Sequence, residues 1–220
     1  MAIVELAMVV LKPHVSSSNS YLQSALSECM QALNNAPGGT SFAFRPQVKD
    51  DPQSKSRICL LGGWQTVEQH ADFLTSGQSA ALVAKIAPYV ELEGVFHVFL
   101  DVGKIDLDSD VIEAGIYTVG TGKRGDVEKV VQKGDGNVIG GWKARKEEKG
   151  MVGQAIEFVK EQLGQDTGAE KEGTVKEEVE PEIFVSFSTA RDKEAEVAFR
   201  QRVLALGAEL EVVKLGRFEK

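Results

Sequence analysis

An α+β fold made of two tandem β-α-β-β-α-β units is predicted by three observations. The order of strand and helix patterns repeats once along 220 residues. The strands that open and close the first unit are apolar at both parities, so both of their faces need cover. Helix patterns such as residues 22–33 carry a single apolar stripe at i, i+3, i+4 spacing, which covers one sheet face.

The first strand covers residues 3–11, an apolar run that only Glu5 interrupts, and Lys12-Pro13 ends it. A cap-rich loop at 16–19 leads into a helix striped by Leu22, Ala25, Leu26, Cys29, Met30 and Leu33. Asn34-Asn35 and Pro37-Gly38-Gly39 stop it. Strands at 41–48 and 57–64 flank a polar hairpin loop at 49–55. Thr66 and Gln69 form a capping box for a short helix bearing Val67, His70, Phe73 and Leu74 on one face. A further helical stretch at 80–87 precedes a fourth strand at 92–100. This is the split βαβ, or ferredoxin-like, order over residues 1–101.

Polar residues 102–110 read as a linker, and residues 111–220 as the second unit. Its elements are strand 111–119, helix 126–133, strand 137–145, amphipathic helix 151–163, strand 182–189, helix 192–206 and strand 209–218. Gly207 stands where a helix C′ glycine belongs. Residues 164–181 hold six acidic residues against two lysines and almost no apolar side chains. Such a segment cannot bury enough surface to offset ordering and reads as an acidic mobile insert.

Composition narrows the function classes. The net charge of −8 repels phosphate backbones and argues against nucleic-acid binding. No apolar run reaches the roughly 20 residues that span a bilayer, so no membrane partner is expected. The opening residues lack the basic region of a leader peptide. Two cysteines, Cys29 and Cys59, make no disulfide scaffold, and a cytoplasmic location follows. The three histidines, His14, His70 and His97, share no His-x-x-x-His spacing, so no metal and no cofactor is expected. Residues 120–125 lack the full spacing of a phosphate-cradling loop, and no Gly-x-Ser-x-Gly elbow occurs.

Residues 62–77, GGWQTVEQHADFLTSG, resemble a signature of the dimeric α/β-barrel superfamily, nearest its antibiotic-biosynthesis-monooxygenase-like and polyketide-cyclase-like branches. There a strand ending in an aromatic is followed by a Ser/Thr-x-Glu-x-His helix start, and Trp64, Thr66, Glu68 and His70 stand in that pattern. The resemblance implies that the two ferredoxin-like units pack their sheets face to face as an internal pseudo-dimer, a pseudo-dimeric α/β barrel. A monomer or weak homodimer follows. Where plant polyketide-cyclase members carry a tyrosine and a later histidine, this chain has Phe73 and Ser79.

The superfamily places ligands in a sheet–helix cleft, and His70 lies on the stripe that faces it. His70 is therefore the first candidate acid or base; the alternative is a packed histidine satisfied by a backbone carbonyl. His97 shares a strand face with Val95 and Phe99 and is either a core histidine or a pocket base. Tyr89 could donate an oriented hydrogen bond, and Trp64, Phe73, Phe99 and the rim residue His14 are candidate substrate contacts. Trp142, in a second Gly-Gly-Trp, falls on the second strand of its unit. The expected function is a metal-free enzyme acting on a small hydrophobic, aromatic or polyketide-like substrate by proton-shuttling cyclisation, isomerisation or elimination. Cofactor-independent oxygenation of a phenol, a non-catalytic binding or stress-responsive barrel, and a haem-binding relative using His14, His70 or His97 as axial ligand remain alternatives.

Overall fold

The structure, a computed structural model, describes residues 1–48, 56–133, 139–143, 181–189 and 193–218. Its elements run β1 (Ile3–Leu11), α1 (Ser20–Asn35), β2 (Gly39–Pro46), β3 (Arg57–Trp64), α2 (Val67–Leu74), α3 (Gly77–Ile86) and β4 (Val90–Val98). Then follow β5 (Ile112–Val119), α4 (Arg124–Lys133), β6 (Ile139–Trp142), β7 (Glu182–Thr189), α5 (Lys193–Leu204) and β8 (Glu209–Leu215). The strands form two four-stranded antiparallel sheets, ordered β2-β3-β1-β4 and β6-β7-β5-β8. The tandem ferredoxin-like α+β fold is thus present. The expected helix at 151–163 and the insert at 164–181 lie outside the described residues, Pro181 excepted. No helix among the described residues is long and apolar enough to cross a membrane.

The apolar character of β1 at both parities has a direct cause. Val4, Leu6 and Met8 point into a core shared with the second sheet, where they meet Ile112, Ala114, Ile116, Val185, Phe187, Val213 and Leu215. The odd residues face the helices: Ile3 packs with Leu33 and Phe73, and Val9 and Leu11 pack with Leu22 and Leu26. Helix α1 starts where Asn19 accepts hydrogen bonds from the Tyr21 and Leu22 amides, each 3.0 Å. Its buried stripe is Leu22, Ala25, Leu26, Cys29 and Leu33, as the spacing predicts.

The two sheets remain separate ladders, joined at both seams by single bridges. Val98 bridges Lys143 and the Phe99 amide donates to the Trp142 carbonyl (3.2 Å). At the other seam Gln47 bridges Leu215, and the Val48 amide donates to the Lys214 carbonyl (2.8 Å). Phe99 therefore bonds to the second sheet rather than the first, and β4 ends before the predicted residue 100. The predicted polar linker is packed as well. Val102 and Ile105 are buried in the shared core, and the Arg45 guanidinium donates to the Leu107 and Ser109 carbonyls. A net-polar segment carrying apolar residues at wide spacing reads as a loop in sequence, yet it closes one end of the core.

One irregularity positions chemistry. The β1–β4 register shifts between Met8 and Val9, with Met8 opposite Gly94 and Val9 opposite Leu92. Glu93 is the extra residue of this bulge. It changes the parity of β4, so Val90 and Leu92 before it and Val95 and His97 after it all point toward the helices.

Candidate functional site

A cavity of about 130 Å³ lies between the first sheet and helices α1, α2 and α3. Its walls are almost wholly apolar and include Leu33, Phe44, Leu60, Phe73, Leu82 and Leu92. Three ionisable side chains, Glu5, His70 and His97, enter it together. Each comes from a different element. Glu5 and His97 are directly paired residues of β1 and β4 and so project from the same face. His70 comes from α2, which Thr66 caps by accepting the Gln69 amide at 3.2 Å. The Gln69 side chain does not return that bond, so the predicted capping box is half formed.

All three residues are buried, at 7%, 1% and 2% exposure respectively. Their nearest potential ligand atoms lie within 4.8 Å of one another. His70 Nε2 stands 3.2 Å from Glu5 Oε2, and the two imidazole rings are 4.8 Å apart. Neither His70 nitrogen makes a hydrogen bond of good geometry among the described residues. Burial drives the His70 pKa down to about 3, so its ring is neutral at pH 7 and the approach to Glu5 is no ion pair. Burial also raises the Glu5 pKa, against the opposing electrostatic pull of His97 and of the Trp64 hydrogen bond.

Trp64 holds this cluster from behind. Its indole Nε1 donates to Glu5 Oε2 at 2.8 Å, and its ring stacks on His70 at 4.8 Å with 20° between planes. Phe42 meets the indole edge-on at 5.2 Å, and Phe73 packs at 5.2 Å on another side. Gly62 lies directly opposite Glu5 on β3. A Cβ there would come within 2.1 Å of the Phe42 ring, so the glycine makes room for the aromatic support.

The predicted site residues divide clearly. His70, His97 and Phe73 line the cavity. Trp64 contacts the cluster without lining the cavity. Phe99 packs beyond it in the cluster around Trp64 and Phe73. Tyr89 is half-buried against Val9, Leu11 and Val90 and does not line it. His14 is exposed in a turn with φ 69°, also away from the cavity. Both corrections have the same origin: the chain turns between α3 and β4 and after β1 at the sheet end opposite Trp64, where Leu11 pairs with Val90. Glu5 is the residue that sequence reasoning did not assign. Its signal was present, as the lone carboxylate in a strand apolar at both parities. Ser79 lines the wall, and Cys29, another wall residue, has its thiol pushed up to about 11 by burial and the neighbouring Glu28.

Among the described residues the second unit shows no equivalent cluster. Its sheet–helix space is filled by Tyr117, Trp142, Phe184 and Phe199 with Val127 and Val203. Its buried carboxylate, Glu196, accepts hydrogen bonds from Tyr117 (3.1 Å), Ser186 (2.9 Å) and Arg200 (3.0 Å), and Arg200 also reaches Glu113 (2.8 Å). A hydrogen-bonded network of this kind ties the strands to α5.

No protein-family model matches the chain, and no curated protein matches it in sequence. Solved structures do match in shape. A candidate monooxygenase, FN1347 from Fusobacterium nucleatum, aligns with a TM-score of 0.60 over 99% of this chain and 93% of its own, at 7% identity. A candidate monooxygenase from Lactobacillus acidophilus gives 0.52 over 97% and 92%, also at 7% identity. A candidate chlorite dismutase, TA0507, gives 0.54 over 99% and 95%, at 7% identity. These likenesses establish a shared two-unit fold.

Proposed function

We propose that the chain is an enzyme that transforms a compact apolar molecule by proton transfer at the Glu5–His70–His97 end of the sheet–helix cavity. One observation carries the reading: an otherwise apolar, helix-covered cavity has three proton-exchanging side chains converging at one place. A volume of about 130 Å³ is near the ~150 Å³ of an engineered cavity that admits benzene. The substrate is therefore a single ring or its equivalent in size, and not a fused polyketide skeleton. Isomerisation, elimination and ring closure all need a proton taken from one atom and returned to another. Tyr89 does not line the cavity and has no part in this reading. Two buried unpaired thiols, Cys29 and Cys59, support a reducing cytoplasmic setting.

A second reading is oxygenation of a phenol without an organic cofactor, favoured by the two candidate monooxygenases of the same fold. There the cluster deprotonates the phenol and the apolar walls exclude water. A panel of one-ring phenols and enones, assayed with an oxygen electrode, separates the two. Proton-transfer turnover consumes no oxygen. Glu5→Gln and His70→Gln should each lower turnover by about 10²–10⁴-fold. Folded variants that turn over as fast as the parent would remove the cluster from the reaction.

A further inference from the structure

We propose that Glu5, His70 and His97 bind a divalent first-row transition-metal ion whose open coordination positions face the apolar cavity. The inference rests on the reading of this cluster as the reaction centre and names the cofactor it would take.

The donor set is two imidazoles and one carboxylate, from three elements whose backbones are fixed by sheet pairing and by a capped helix. Two nitrogens and one oxygen suit iron(II), cobalt(II) or zinc, and not calcium or magnesium, which take oxygen ligands. A facial arrangement of two histidines and a carboxylate leaves coordination positions open for substrate. Here all three ligands line the cavity, so those positions open where the substrate would sit.

His70 supplies the independent observation. It is 1% exposed, and both of its ring nitrogens lack a well-formed hydrogen bond among the described residues. A buried imidazole in that state costs stability unless a ligand uses its lone pair. The Glu5 approach, at 3.2 Å to Nε2, does not meet the need, because it is not a well-formed hydrogen bond.

The span is right for a cation. Ligand atoms lie within 4.8 Å of one another; on a shared ion at ~2.0–2.2 Å they sit about 3–3.5 Å apart. Side-chain rotation of about 1.5 Å closes the difference for the longest pair. Trp64 acts behind the ligands. Its indole engages Glu5 Oε2, leaving the carboxylate a second oxygen, and its ring fixes the plane of His70. Such outer groups orient ligands and tune affinity. A divalent ion with one carboxylate leaves one net positive charge in an apolar cavity, which favours an anionic oxygen in the open position. Hydroxide or the deprotonated oxygen of a phenol or enol meets that demand.

Cobalt(II) tests this on the full-length protein after dialysis against a chelator. A single equivalent should bind and develop visible ligand-field absorption. Glu5→Gln and His97→Gln should weaken binding by at least about 100-fold, and Trp64→Phe by about 10–100-fold. His14→Ala, which removes an exposed histidine, should bind as the parent does. Circular dichroism melts establish that each variant is folded, and Glu5→Gln, which retains side-chain shape, decides if His97→Gln is not. Binding that is absent, or unchanged by these substitutions, overturns the metal site. If binding is absent while proton-transfer turnover persists, the metal proposal falls and the reaction-centre reading stands. If the variants lose the metal yet turn over normally, the site stands and that reading falls.

Discussion

The burial of His70 gains it no well-formed hydrogen bond among the described residues. An imidazole with no well-formed hydrogen bond, stacked on Trp64 and tilted against His97, carries the desolvation cost of its polar atoms without return. Replacement by an apolar side chain of similar volume should therefore keep the fold. We expect His70→Leu to melt at or slightly above the parent temperature while losing turnover and cobalt binding. A drop of many degrees would show that His70 is held by an interaction that stabilises it. Glu5 differs, because its Trp64 hydrogen bond and paired strand position tie it into the sheet. The lone carboxylate of β1 and the histidine on the apolar stripe of α2 were both visible as exceptions to a pattern. Their partnership was not, since 65 residues separate them in the chain.

At the level of elements, the β4 bulge and the glycine opposite Glu5 decide whether the cluster forms. Without Glu93 as an extra residue, strand alternation would put His97 and Val90 on opposite faces. One end of the strand would then misface. Gly62 has the tighter requirement. An alanine Cβ would stand 2.1 Å from a Phe42 ring carbon and 2.5 Å from the next, and that ring is itself wedged against Trp64. Gly62→Ala should cost about 1–3 kcal/mol, seen as a lower denaturation midpoint, and should weaken ligand binding by displacing Trp64. An unchanged midpoint would mean that Phe42 can swing aside freely. Neither device was readable beforehand. Glycine in RICLLGGW marks close approach in general terms, but what approaches is set by β2, which arrives from elsewhere in the chain.

Across the whole molecule, the inward faces of the two sheets bury one another within a single chain. A separate ferredoxin-like unit would leave its apolar sheet face in water and would have to dimerise. The fused chain has met that need internally. Light scattering at micromolar concentration should therefore give a monomer, whereas the isolated segment 1–101 should dimerise or aggregate. A tight full-length dimer would point to a further apolar surface. The division of labour between units also belongs to this scale. Among the described residues, aromatic rings fill the second sheet–helix space, and the one cluster of potential ligands lies in the first unit, so one site per chain is expected.

Local pattern by itself determined the tandem α+β order, the stripe of α1 and the double burial of β1, because each follows from residue spacing against a helical or strand period. It also brought out His70, through the segment around Trp64. The cluster required the tertiary structure. Glu5, His70 and His97 lie on β1, α2 and β4 and share no sequence spacing, so a search for neighbouring ligands finds nothing. Antiparallel pairing sets Glu5 beside His97, a bulge turns β4 to the helix side, and Thr66 starts α2 where His70 meets both. Tyr89 and His14 fell away for the converse reason. They are chemically suited side chains that do not line the cavity, and which side chains reach it is fixed by pairing register, which no single segment encodes.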